Sequence, residues 1–149
     1  MSEEFKSIDV VRIQMVKELS MEYRGKPITN PKDASDMVKE FLGKRDRECF
    51  GVICADTKNQ PTHISIVSIG SLNSSIVHPR EVFKPAILSN AASIIIFHNH
   101  PSGNVEPSQS DLEITKRIAE ASHIININLL DHIIVGDESY LSMKEKLLL

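Results

Sequence analysis

The chain has 149 residues, a length that suits one domain with its own core and needs no staples. With 41% hydrophobic and 25% charged residues it has the balance of a soluble globular fold; aromatics are 5% and tryptophan is absent, so Ile, Val and Leu must build the core. A formal net charge of -3 excludes an electrostatic funnel for nucleic acid, no apolar run is long enough to span a bilayer, and polar residues 1–9 do not read as a signal peptide, so the expected compartment is cytoplasmic.

Residues 1–9 are expected to fray. In VVRIQMVKE, residues 10–18, Val11, Ile13 and Met15 alternate with Arg12, Gln14 and Val16, which predicts a strand. A loop follows through Tyr23–Pro27. The first predicted helix is NPKDASDMVKEFLG: Asn30 caps it, Pro31 takes the first helical position, and Asp33 lies near the free amides. Met37, Val38, Phe41 and Leu42 form its apolar stripe, and Gly43 ends it. The mixed-sign cluster from Lys44 to Glu48 reads as solvated surface. Residues 49–56 and 62–69 predict two strands joined by a turn, a pair that can make a hairpin, and residues 70–75 a polar link. Cys49 and Cys54, five apart on one strand, point to opposite faces, which argues against a mutual disulfide.

Pro79 opens a second predicted helix, PREVFKPAILSN, with Val82, Ala86 and Ile87 buried and Pro85 expected to kink or split it. Residues 93–97, SIIIF, predict a short buried strand. A helix is predicted over 109–121, then two short strands near 125–130 and 132–136, and a last short segment around 141–148. The order gives an α/β fold, a mixed β-sheet with helices packed against it.

The chemistry concentrates in FHNHPSGNVEPSQSDLEITKRIAE, residues 97–120. In extended chain His98 and His100 point the same way, their Cβ atoms about 6.6 Å apart. Two imidazoles so placed can grip one metal, and an apolar strand holds them. Ser108 and Asp111 form an S-x-x-D capping box at a helix start. A carboxylate pinned there stays ionised and keeps its direction, as a third ligand must. Two histidines and a carboxylate leave a tetrahedral zinc one position for water, whose pKa zinc lowers to about 7. A general base is then needed, and Glu48, Glu81, Glu106 and Glu113 are the candidates; Glu113, two positions beyond Asp111 on a helix, faces away.

His98-Asn99-His100, seven residues, then Ser108-Gln109-Ser110-Asp111 resembles the JAMM metalloprotease motif. The segments HNHPSG, VHPREVF and DHIIVG are similar to the RadC family, a bacterial branch historically called DNA-repair proteins, over roughly Val11 to Leu148. The resemblance implies an α/β/α sandwich related to the deaminase fold, as a single RadC-like JAMM domain over residues 1–149. Full-length relatives often carry an upstream helix-hairpin-helix domain, which is not expected here. It implies zinc on His98, His100 and Asp111, with Ser108 assisting the water or the intermediate. The distal glutamate, as general base, best matches Glu48; many relatives have a histidine where Cys49 follows it. The implied activity is zinc-dependent hydrolysis of an amide bond in a peptide or protein substrate. The alternative is a DNA-repair or recombination accessory protein whose zinc is structural or acts on an unidentified substrate, for which a basic face containing Arg12, Lys17, Arg24 and Lys26 would speak. The same ligand set suits iron or manganese. The H-x-E and P-C-x-x-C deaminase pattern and the H-E-x-x-H protease signature are absent. No sequence feature names a membrane partner or an oligomeric state.

Other residues have plainer roles. His78 caps the second helix or lines the cleft, and Arg80 and Glu81 make local contacts. His132 orients a ligand or supports the fold through a hydrogen bond. His63 and His123 read as surface. Asn99 faces away from the metal, and Pro101–Asn104 forms a turn that returns the chain toward the histidines.

Overall fold

The computed structural model describes residues 2–70 and 77–149; the expected polar link at 70–75 therefore lies almost wholly outside the described residues. Helix α1 spans Pro31–Leu42. Asn30 Oδ1 accepts from the Asp33 N–H, and Asp33 reaches back to the Thr29 N–H and hydroxyl, both at 3.0 Å. Those bonds, the one from Thr29 N–H above all, hold the Asp33 carboxyl below its ordinary pKa. Gly43 ends the helix at φ +59°, a conformation that side chains disfavour. Val38 and Leu42 are buried as expected; Ala34 and Ser35 join them, while Met37 and Phe41 are half-buried.

Strands β1 (Cys49–Ala55) and β2 (Pro61–Ile69) form the expected antiparallel hairpin. Helix α2 (Pro79–Leu88) runs unbroken through Pro85, contrary to expectation. The proline falls in the last turn, so its missing donor costs one bond, to the Glu81 carbonyl, before the helix ends. The buried face is Val82, Phe83 and Ala86; Ile87, expected inside, is 55% exposed. Strand β3 (Ser93–Asn99) continues beyond the apolar run to carry His98. Helix α3 (Gln109–Ile125) is a turn longer than expected and stops at Asn126, in the left-handed conformation.

The two short strands expected at the C-terminal end are one, β4 (Asn128–Val135). Asp131 and His132 read as a break because they are polar, yet both are buried and satisfied. Asp131 accepts from the His132 and Lys144 N–H groups and the Ser142 hydroxyl. Strand β5 (Tyr140–Ser142) closes the sheet. Residues 10–18 form no strand. Alternation describes side chains but supplies no partner strand, and Val10, Val11 and Ile13 are 72–100% exposed.

The sheet order is β2-β1-β3-β4-β5, parallel between β3 and β4 and antiparallel elsewhere. Alternation along the strands divides the core. Phe50, Val52, Cys54, Ile94 and Ile96 pack with α2 and α3, whereas Cys49, Ile53, Ile95, Phe97 and Ile133 pack with α1. The result is the expected mixed sheet in an α/β/α sandwich. Cys49 and Cys54 lie on opposite faces, both as free thiols. Among the described residues no helix is long and apolar enough to cross a membrane.

Candidate metal centre

Because β3 alternates, His98 follows Ile94 and Ile96 onto the α3 side of the sheet, and His100 lies one step beyond the strand end. The His100 N–H donates to the Val135 carbonyl, and the Gly103 N–H to the His100 carbonyl, closing the expected turn. Gly103 takes φ +86° there. The chain then returns to Ser108, where both bonds of the capping box form: Asp111 N–H to Ser108 Oγ at 3.1 Å, and Ser108 N–H to Asp111 Oδ2 at 2.8 Å.

These local rules bring three donors to one point. His98 Nε2 is 2.9 Å from His100 Nε2 and 3.3 Å from Asp111 Oδ1, and His100 Nε2 is 3.2 Å from Asp111 Oδ2. A tetrahedral zinc with bonds of about 2.0–2.1 Å separates its ligands by roughly 3.3 Å, so the spacing fits. His98 is wholly buried, Asp111 nearly so, and His100 is 13% exposed. His100 Nδ1 is 2.7 Å from the Asn104 carbonyl, which can only accept. Nδ1 therefore carries a proton, and Nε2 is the ring nitrogen turned to the cluster. Two imidazole nitrogens and a carboxylate this close together suit a cation.

The electrostatics agree. Burial alone would raise the Asp111 pKa, but the adjacent His100 and His98 rings and the Ser108 N–H outweigh it and hold the group well below the usual carboxylate range. The hydrogen bond to Asp111 raises the His100 pKa against its own burial, with a further contribution from Glu48.

His100 and Asp111, with His98 buried behind them, line one wall of an open cleft of about 870 Å³, also lined by Asp46, Arg47, Glu48, Asn104, Glu106 and Ser108. The Lys44–Glu48 cluster is thus partly cleft rim, not only solvated surface. Phe50 pairs with His98 across β1 and β3, and continuing this antiparallel register brings Glu48 level with His100. Two bonds hold that segment. The Cys49 N–H donates to Asn99 Oδ1 at 2.7 Å, and Asn99 Nδ2 donates to the Arg47 carbonyl at 3.0 Å. Asn99 faces away from the metal position, as expected, and grips the backbone on both sides of Glu48.

Of the other glutamates, Glu106 lines the cleft, Glu81 pairs with Lys84 at 2.9 Å, and Glu113 is exposed on the outer face of α3. His78 is the N-cap of α2 without a side-chain cap bond. His63 and His123 are exposed. His132, by contrast, is fully buried and its Nε2 lies 2.8 Å from His98 Nδ1. Burial pushes its pKa well down, so it is neutral. Sequence reasoning missed Asn99 as a clamp, Thr115 beneath His132 and Phe50 against His98, whose rings stack at 6.1 Å. For Thr115 a signal existed: it is four residues from Asp111, on the same helix face.

Comparison with known proteins agrees with this geometry. A family model described as RadC-like JAB domain matches residues 28–148. A UPF0758 protein of Clostridium acetobutylicum is 57% identical over 122 residues, 82% of this chain and 53% of its own length. One of Rubrobacter xylanophilus is 52% identical over 122 residues, 81% of this chain and 53% of its own. A third, of a Geobacillus species, is 51% identical over 127 residues, 85% of this chain and 56% of its own. The chain thus spans about half the length of these curated relatives. A histidine–histidine–aspartate cluster at the end of β3, inside a matched span that covers most of the described fold, places the chain in the RadC-like JAB-domain family.

Proposed function

We propose that this domain is a zinc-dependent hydrolase of the metallopeptidase or isopeptidase type, with His98, His100 and Asp111 as ligands. The observation that carries the reading is the convergence of His98 Nε2, His100 Nε2 and the Asp111 carboxylate at a cleft that His100, Asp111 and Glu48 line. Zinc bound there would supply Lewis acidity and a water of lowered pKa. Glu48 takes the proton from the attacking water and returns it to the leaving amine. Ser108 stabilises the oxyanion: its Oγ accepts from the Asp111 N–H, which leaves its own proton to donate.

The second reading is a RadC-type accessory protein of DNA repair or recombination whose metal is structural. It is favoured by the way the ligands are tied into the fold: His98 into β4 through His132, and Asp111 into the cap of α3. Arg12, Lys17, Arg24 and Lys26, the basic residues that would support nucleic-acid binding, are exposed along a segment without regular structure and build no folded face.

Elemental analysis of the wild type and of H98A, H100A and D111A separates metal binding from its absence. One zinc per wild-type chain and little in each variant is expected. Peptide-library hydrolysis then separates the readings: Glu48→Gln should retain zinc while activity falls by about 10²–10⁴. Stoichiometric zinc with no hydrolysis by the wild type would favour the structural reading, and a zinc-free folded protein would overturn both.

A further inference from the structure

Behind His98 runs a chain of short hydrogen bonds that the hydrolytic reading does not use. His98 Nδ1 lies 2.8 Å from His132 Nε2, His132 Nδ1 lies 2.6 Å from Thr115 Oγ1, and Thr115 Oγ1 lies 2.7 Å from the backbone carbonyl of Asp111. All four residues are buried, with no more than 2% of any exposed.

Each imidazole in such a chain could in principle carry its proton on either nitrogen, but one end of the chain is not reversible. A carbonyl oxygen only accepts, so at 2.7 Å the Thr115 hydroxyl must donate to it. Met143 Sδ, 3.4 Å from the same hydroxyl, is a longer and weaker acceptor and does not change this. With its single proton committed, Thr115 Oγ1 can only accept from His132, which puts the His132 proton on Nδ1. His132 Nε2 is then bare and accepts from His98 Nδ1–H. His98 Nε2 is left with its lone pair toward His100 and Asp111. The reverse direction would set two acceptors 2.7 Å apart at the carbonyl and place a proton on His98 Nε2, where a metal must bind.

We infer that Thr115 and His132 are positioning residues forming a one-way relay that fixes His98 as its Nδ1–H tautomer and so prepares Nε2 to bind metal. His100 has its own setting through the Asn104 carbonyl. Each histidine of the pair is therefore set by a backbone carbonyl, one directly and one through two side chains. The relay ends on the backbone of Asp111, the third member of the cluster, so orientation of the first ligand is linked to the placement of the last. The inference rests on the reading of His98 as a ligand, but the tautomer itself exists without metal.

The test has two arms. Imidazole nitrogen–proton correlation NMR on zinc-free wild-type protein, in mildly alkaline buffer, reads the tautomers directly; both His98 and His132 should carry their protons on Nδ1. The second arm measures zinc affinity by competition with a chelator for Thr115→Val, which keeps shape and removes the hydroxyl, and Thr115→Ser, which restores it. Thr115→Val should lose roughly 10–100-fold in zinc affinity, and Thr115→Ser should return close to the wild type. A purely structural role would lower the thermal stability of Thr115→Val without separating it from Thr115→Ser in zinc affinity. A His98 proton on Nε2, or equal zinc affinity in Thr115→Val and the wild type, would overturn the relay. If Thr115→Val does not fold, the NMR arm decides. If the wild type binds no zinc, the hydrolytic reading fails while the tautomers still judge the relay.

Discussion

Asn99 sits between two metal-ligand candidates and serves neither. Its amide faces the other side of β3 and satisfies two backbone groups, the Cys49 N–H and the Arg47 carbonyl, in a site only 8% exposed. Removing it leaves both groups without their partner where water has little access, which costs about 1–3 kcal/mol per unsatisfied group. Asn99→Ala is therefore expected to lower the urea midpoint and to speed hydrogen exchange at the Cys49 amide, while zinc affinity changes little. A large loss of zinc with unchanged exchange would mean that Asn99 acts on the ligands rather than on the Glu48 segment. This role was hard to see in the sequence. Period-two alternation correctly turned Asn99 away from the histidines, but nothing local indicates which backbone, some fifty residues upstream, its amide meets.

At the level of elements, legibility followed how local the determining interactions are. Helix α1 was readable from Asn30, Pro31, Asp33 and Gly43 because capping is settled within a few residues. The same holds for the start of α3, and hence for His98, His100 and Asp111, which one strand end, one turn and one capping box bring together. Residues 10–18 misled because a strand is defined by its partner. Asp131 and His132 misled because polarity marks a break only when the polar groups lack internal partners, and theirs come from Ser142, Lys144, His98 and Thr115. Gly51 makes a further point about β1. A Cβ there would collide with the Phe97 ring and come within 2.6 Å of the Ser65 carbonyl on β2, next to an irregularity in the β1–β2 register. Backbone cannot retreat as a flexible side chain can, so Gly51→Ala should destabilise by about 1–3 kcal/mol, read from the denaturant midpoint. Unchanged stability would show that β2 shifts freely at this bulge.

For the whole molecule, the proposed zinc is linked to the folded state, because β3, α3 and the turn between them must all be in place to form its site. Zinc that binds only native protein should stabilise it by about 2.7 kcal/mol at a free concentration of 100 times Kd. For a chain of this size that raises Tm by roughly 5–10 °C, and chelation should reverse it. A calorimetric Tm indifferent to zinc would argue that the native fold does not hold the metal. The Asn99 clamp bears on how this stability relates to function. Because a single tripeptide carries the two histidines on one side and the grip on the Glu48 segment on the other, the spacing between glutamate and ligands is measured by a local ruler and not by the average shape of the sheet. Swelling or shearing elsewhere leaves that ruler intact, so function on heating should survive until one amide lets go, and its loss should report the fraying of that strand end ahead of global melting.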